Sequence, residues 1–245
     1  MRWAGAGVLL VPLLLSGCFQ AILREGPRST LDFTCALMDS VQDDRIVVES
    51  WRAAEVDLNV TPILRHLVAI LANLTGRDPG LFSVDERAGP DVPPGGWNRS
   101  RLAQAAGPYL RQRTVTLAVF WVASVGEWGP TGFLVAPGTV AVAMDNVAAG
   151  SARIGRPVAA VAQAVLLHEV GHALGQTNQG IPVQDPDIQD REGPPGHDRD
   201  PASVLHDAWD DAFKLAWAGN ATYDGYPAPD LADWAAARSP GGVCG

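Results

Sequence analysis

The sequence predicts an α/β protein built around one sheet, and three observations carry that expectation. β-branched and apolar helical runs alternate in the order β-α-β-α-β-β-β-α before the pattern turns irregular towards the C-terminus. The longest β-favouring run, TVTLAVFWVASV at 114–125, is apolar almost throughout, as a central buried strand is. Finally, 47% hydrophobic against 18% charged residues in 245 positions is enough to fill one core.

The elements follow in chain order. Residues 45–51 (RIVVESW) form a short β-branched run, read as the first strand. A helix opens at Thr61-Pro62, with Thr61 as N-cap and Pro62 in the first turn. Its apolar face is Ile63, Leu64, Leu67, Ile70, Leu71 and Leu74, and Gly76 ends it. Residues 81–84 make a second strand. The stretch GPDVPPGG at 89–96 is a loop by composition, too short to divide two domains. A helix is expected over 99–112, with Pro108 breaking it. After the 114–125 strand, two short strands at 132–135 and 139–144 flank Pro137-Gly138. From Pro157 an apolar helix runs to about Leu174 and stops at Gly175. Residues 176–201 carry no regular period. Two helices are expected beyond them, at 203–218 and, weaker, at 229–238. There are no repeats and no nucleotide-binding loop.

Charge and cysteine content narrow the function classes. A net charge of −9, from 18 basic and 27 acidic residues, excludes the basic footprint of a nucleic-acid binder. Three cysteines support neither a disulfide-framework miniprotein nor an all-cysteine zinc site.

The N-terminus reads as a targeting segment. In MRWAGAGVLLVPLLLSGC, Arg2 precedes an apolar run that is too short to span a bilayer and is interrupted by Pro12. Its end, Leu15-Ser16-Gly17-Cys18, resembles a bacterial lipobox, and an ordinary cleaved signal is the alternative. The resemblance implies cleavage after residue 17, lipidation of Cys18, and a tether and lead-in over 18–43 before the domain at 44–245. Loss of Arg2 then makes the chain one charge more negative. Cys35 and Cys244 would lie outside the cytosol, near the two ends of the domain. There they are candidate disulfide partners, two free thiols being the alternative. A bridge closing so long a loop stabilises by roughly 4–5 kcal/mol in the chain-entropy account.

The chemistry is concentrated in His168-Glu169-Val170-Gly171-His172, at the end of the apolar helix. Residues four apart lie about 40° apart around a helix, so both imidazoles face one way and can share a metal ion. Glu169 projects beside them, where it can hydrogen-bond a water on the ion and take its proton. Zinc brings that water's pKa towards about 7, so a carboxylate suffices as base.

The longer stretch HEVGHALGQTN, His168 to Asn178, resembles the metzincin zinc peptidases, whose pattern is HExxHxxGxxH or D. Gly175 matches the glycine at which that family turns its chain back. Asn178 stands at the place of the third ligand but is an amide, a poor one for zinc. A closer resemblance is to a group of metzincin-like bacterial and archaeal proteins, often lipoproteins. Their matching features here are Gly180-Ile181-Pro182, Asp185-Pro186, Pro195-Gly196-His197 and Ser203-Val204-Leu205. That resemblance implies His197 as third zinc ligand beside His168 and His172, with Asn178 bracing the turn. It places Leu205 where the family has a methionine floor under the metal, and His206 as a candidate hydrogen-bond donor to the oxyanion. It also makes Gly132 to Asn146 an edge hairpin bordering a substrate cleft, to which an extended peptide adds as a strand.

Taken together, the resemblance implies a zincin-type fold. Its mixed twisted sheet carries a backing helix and an active-site helix, followed by an irregular C-terminal subdomain. The expected function is a zinc-dependent endopeptidase, lipid-anchored to the outside of a bacterial membrane and acting as a monomer on peptides or proteins. The alternative is a non-catalytic surface lipoprotein that keeps the fold as a binding or structural module. Asn178, Leu205 and His206 favour it, and the intact Glu169 opposes it. His66 falls on a helix and is read as structural. The acidic residues Asp185, Asp187, Asp190 and Glu192 have no EF-hand spacing and are read as a solvated loop.

Overall fold

The structure, a computed structural model, describes residues 30–38, 45–89, 91, 96–106, 115–125 and 131–174. The lipobox and Cys18, the stretch from Gly175 onwards, and with it Asn178, His197, Leu205, His206, Cys244 and the two expected C-terminal helices, lie outside the described residues.

Helix α1 spans Thr30–Met38, followed by β1 (Ile46–Arg52), α2 (Thr61–Thr75), a single 3-10 turn (Pro79–Leu81) and β2 (Phe82–Ala88). Then come α3 (Arg99–Ala106), β3 (Val115–Val122), β4 (Gly132–Ala136), β5 (Thr139–Ala143), α4 (Met144–Ile154) and α5 (Val158–Ala173). The strands make one five-stranded sheet in the order β2-β1-β3-β5-β4. Strands β2, β1, β3 and β5 are parallel, and only β4 runs antiparallel, at the edge. The chain is therefore an α/β protein with a mixed, mostly parallel sheet.

Strand β3 is central, as its unbroken apolar run predicts. It takes Ile46 of β1 opposite Val115 and Thr139 of β5 opposite Ala118. Alternation along the strands divides the core in two. Ile46, Val48, Leu117, Val119, Trp121, Leu134, Val140 and Val142 face α1, α2, α4 and α5 in the larger cluster. Trp51, Ala118, Phe120, Val122, Val135 and Ala141 face the opposite way, against Trp97 and Leu102 at α3. Trp121 is fully buried and needs a partner for its one polar atom; Nε1 donates to Ser50 Oγ at 3.0 Å.

The α2 helix presents the predicted apolar face, and Gly76 ends it at φ +67°. Its N-cap differs from expectation. The capping position is Val60, and the Asn59 side chain accepts from the Thr61 N–H at 3.3 Å. With Pro62 lacking an N–H, the donor most in need of a partner is that of Thr61 itself, so the cap shifts upstream.

Two helices are absent from the sequence expectation. Residues 30–38 fall inside the expected tether, yet Phe33, Leu37 and Met38 of α1 lie in the larger core cluster. Arg77, buried just past α2, donates from Nε to the Leu37 carbonyl at 2.9 Å and from a terminal nitrogen to Ala36 at 2.7 Å. It thereby serves carbonyls that the end of α1 leaves without helical partners. Helix α4 buries Met144, Val147 and Ser151 on one face.

Helix α5 is the structural centre of the site. It is apolar nearly all round, and every residue from Val161 to Ala173 except Gln163 is buried, which is how such a helix must sit in water. It packs on β4, β5 and α4. No helix among the described residues is long and apolar enough to cross a membrane.

Candidate metal centre

The last turns of α5 bring His168 and His172 together. Both are buried, at 7% and 4% exposure, and their Nε2 atoms are 3.0 Å apart. The rings meet edge to face, with centroids 4.6 Å apart and planes at 84°. At that distance one Nε2–H donates to the other ring's Nε2 lone pair. A cation replacing the shared proton would find both lone pairs already converging, each within reach of the roughly 2.1 Å bond that zinc makes to imidazole. The pair also lies at a helix C-terminus, where exposed carbonyls favour positive charge. Two imidazole nitrogens of the kind that bind metal ions thus converge. Among the described residues no group of three ligating side chains occurs. The expected third ligand, His197, and its rival Asn178 lie outside them.

Glu169 sits on the neighbouring face of α5 and is buried, at 4% exposure. Its carboxylate is directed to the edge strand: a Cβ placed on Gly132, the first residue of β4, would lie 2.7 Å from Glu169 Cγ and Oε1 and 2.7 Å from Val165 Cγ1. Burial pushes the Glu169 carboxyl well above its usual value, and the positive charge of Arg99 opposes this without cancelling it. A carboxylate so displaced is a stronger proton acceptor than one in water.

Of the hairpin expected over 132–146, the two strands are present over 132–143, and residues 144–146 instead open α4. Gly132 pairs with Val142 and Phe133 with Ala141, and the tight turn at Pro137-Gly138 has φ +66° at the glycine. Among the described residues, strand β4 has a sheet neighbour, β5, on one side only. His66 is half-buried on α2. Cys35 is disulfide-bonded, to a partner outside the described residues, which sets aside a free thiol at that position.

Two residues of the site had not been singled out. Arg99 opens α3 on the far side of the sheet, yet its charge reaches Glu169 past the edge strand. Gly132 accommodates the Glu169 side chain. The only trace of either in sequence is a glycine opening a β-run, which says nothing of what approaches it.

Compared with protein-family models, with characterised proteins and with solved structures, the chain matches none. The functional reading therefore rests on the residues and their geometry.

Proposed function

We propose that the chain is a zinc-dependent endopeptidase acting outside the cytosol, held to a bacterial membrane by a lipid on Cys18. The observation that carries this reading is the buried convergence of the His168 and His172 Nε2 atoms at 3.0 Å, with the Glu169 carboxylate on the adjoining face of the same helix. His168 and His172 would hold zinc, and His197 would complete the set on the strength of the resemblance. When bound, zinc supplies Lewis-acid chemistry, making water acidic near neutral pH and polarising a carbonyl oxygen.

The remaining steps belong to the chain. Glu169 takes a proton from the attacking water and passes it to the leaving amine nitrogen. The side of β4 that has no strand neighbour among the described residues would align an extended peptide by backbone hydrogen bonds next to Glu169. His206, outside the described residues, is a candidate hydrogen-bond donor to the developing oxyanion, an ordinary histidine at a helix start being the alternative.

The test is direct. Residues 19–245 are purified, bound zinc is measured, and a mixed peptide library is digested beside Glu169→Ala. Stoichiometric zinc with cleavage lost in the variant by roughly 10²–10⁴-fold is the expected result. Zinc bound with equal, background cleavage in both proteins sinks the peptidase reading. It would favour the non-catalytic module that Asn178 and Leu205 already suggest. His197→Ala retaining zinc at wild-type affinity would remove His197 from the ligand set.

A further inference from the structure

The start of β4 is fixed from two directions. On the sheet side, Gly132 pairs with Val142, and the Ala143 N–H donates to the carbonyl of the preceding residue, Thr131, at 2.8 Å. The backbone at 132 therefore cannot retreat without breaking the hairpin ladder. On the helix side stand Val165 and Glu169, one turn apart on one face of α5. Three of their atoms, Val165 Cγ1, Glu169 Cγ and Glu169 Oε1, each lie 2.7 Å from where a Cβ on residue 132 would be. Real Cβ atoms do not tolerate such contacts, so any side chain there must displace something. The β-branched Val165 has one strongly preferred rotamer in a helix and moves little. Glu169, longer and more flexible, is the side chain that must give way.

We propose that Gly132 is a positioning residue for Glu169. The bare backbone at the mouth of the edge strand forms a seat against which the Glu169 stem and one carboxylate oxygen rest. This seat fixes the rotamer of the carboxylate and excludes water from that side. The histidine pair belongs to other positions of the helix, and the three atoms nearest a Cβ at residue 132 come from Glu169 and Val165. Metal binding and carboxylate placement are thus set by different contacts. As a role in catalysis the inference rests on the peptidase reading, whereas the seat itself does not.

Both can be tested with Gly132→Ala, Glu169→Ala and the double variant of the full chain. Wild-type zinc content and affinity are expected in Gly132→Ala. Peptide cleavage should fall roughly 10–100-fold in kcat with KM little changed, as a small misplacement of a reacting group does. Thermal unfolding supplies a readout independent of activity. Gly132→Ala alone should lower Tm by roughly 2–10 °C. In the Glu169→Ala background part of that loss should vanish, because two of the three crowding atoms are gone while the contact with Val165 remains. Additive Tm losses would overturn the seat. So would a Gly132→Ala protein with wild-type kcat, or one that loses zinc along with its activity. If wild type cleaves no peptide, the peptidase reading fails, and the melting cycle alone decides whether Gly132 seats Glu169.

Discussion

Replacing Glu169 by Gln in the metal-free protein should make the fold more stable at neutral pH. The side chain is 4% exposed, and burial holds its carboxyl well above the usual value, against the weaker opposing charge of Arg99. In the unfolded chain the same group ionises near about 4.3. Below that pH both states are protonated and Glu169 costs nothing by ionisation. Above it the unfolded chain releases its proton while the folded one retains it, so stability falls as pH rises. The loss stops growing once the pH passes the raised folded value. Gln has nearly the same shape, keeps the contact with Gly132 and does not ionise. Relieving an ionisable group in so buried a place is worth about 1–3 kcal/mol. In a chain of this length that is roughly 2–10 °C in Tm. The assay is a series of melts with chelator between pH 4 and pH 8, wild type beside Glu169→Gln. The gap should be near zero at the acid end and open steadily above it. A variant that melts at or below wild type at neutral pH, or a gap that does not change with pH, would refute the reasoning.

Zinc added to the metal-free protein at a hundredfold excess over its Kd should stabilise it by about 2.7 kcal/mol, and His168→Ala or His172→Ala should abolish the Tm rise. Gly150→Ala, at a helical position with open space around a new Cβ, should stabilise by about 0.4–1 kcal/mol in a denaturant titration. Gly138→Ala should do the reverse by about 1–3 kcal/mol, because its φ is +66° and the new Cβ would meet the Phe33 ring at 2.8 Å. Glu49, raised by burial with Arg87 opposing, carries a smaller version of the Glu169 effect. Since Arg87 is 44% exposed and screened, Glu49→Gln should raise neutral-pH stability by less than about 1 kcal/mol, with no gain near pH 4.

Much of the fold was legible because the signals are local. The strands at 46–52 and 115–122, the helix at 61–75 and the hairpin about Pro137-Gly138 follow from period, β-branching and turn chemistry within a few residues. So does the paired facing of His168 and His172, which needs only helical geometry. Helix α1 was missed because three core residues in nine, bordered by Pro and Ser, resemble a lead-in until a core exists to receive them. Helix α4 was missed because it buries only Met144, Val147 and Ser151, while Ala148 and Ala149 between them are exposed.

The sequence by itself determined the chemical groups and their spacing: two imidazoles and a carboxylate on one helix, a glycine-containing hairpin upstream, and a run apolar enough for a central strand. What only the tertiary structure decided is which of these meet. The order β2-β1-β3-β5-β4 places β4 at the edge, α5 crosses it so that Glu169 rests on Gly132, and Arg99 reaches the same carboxylate from the opposite layer. The Gly132–Glu169 contact joins residues 37 positions apart, and the charge of Arg99 acts on Glu169 from 70 positions away. No local pattern encodes them, because they exist only once the sheet is paired and both of its faces are covered.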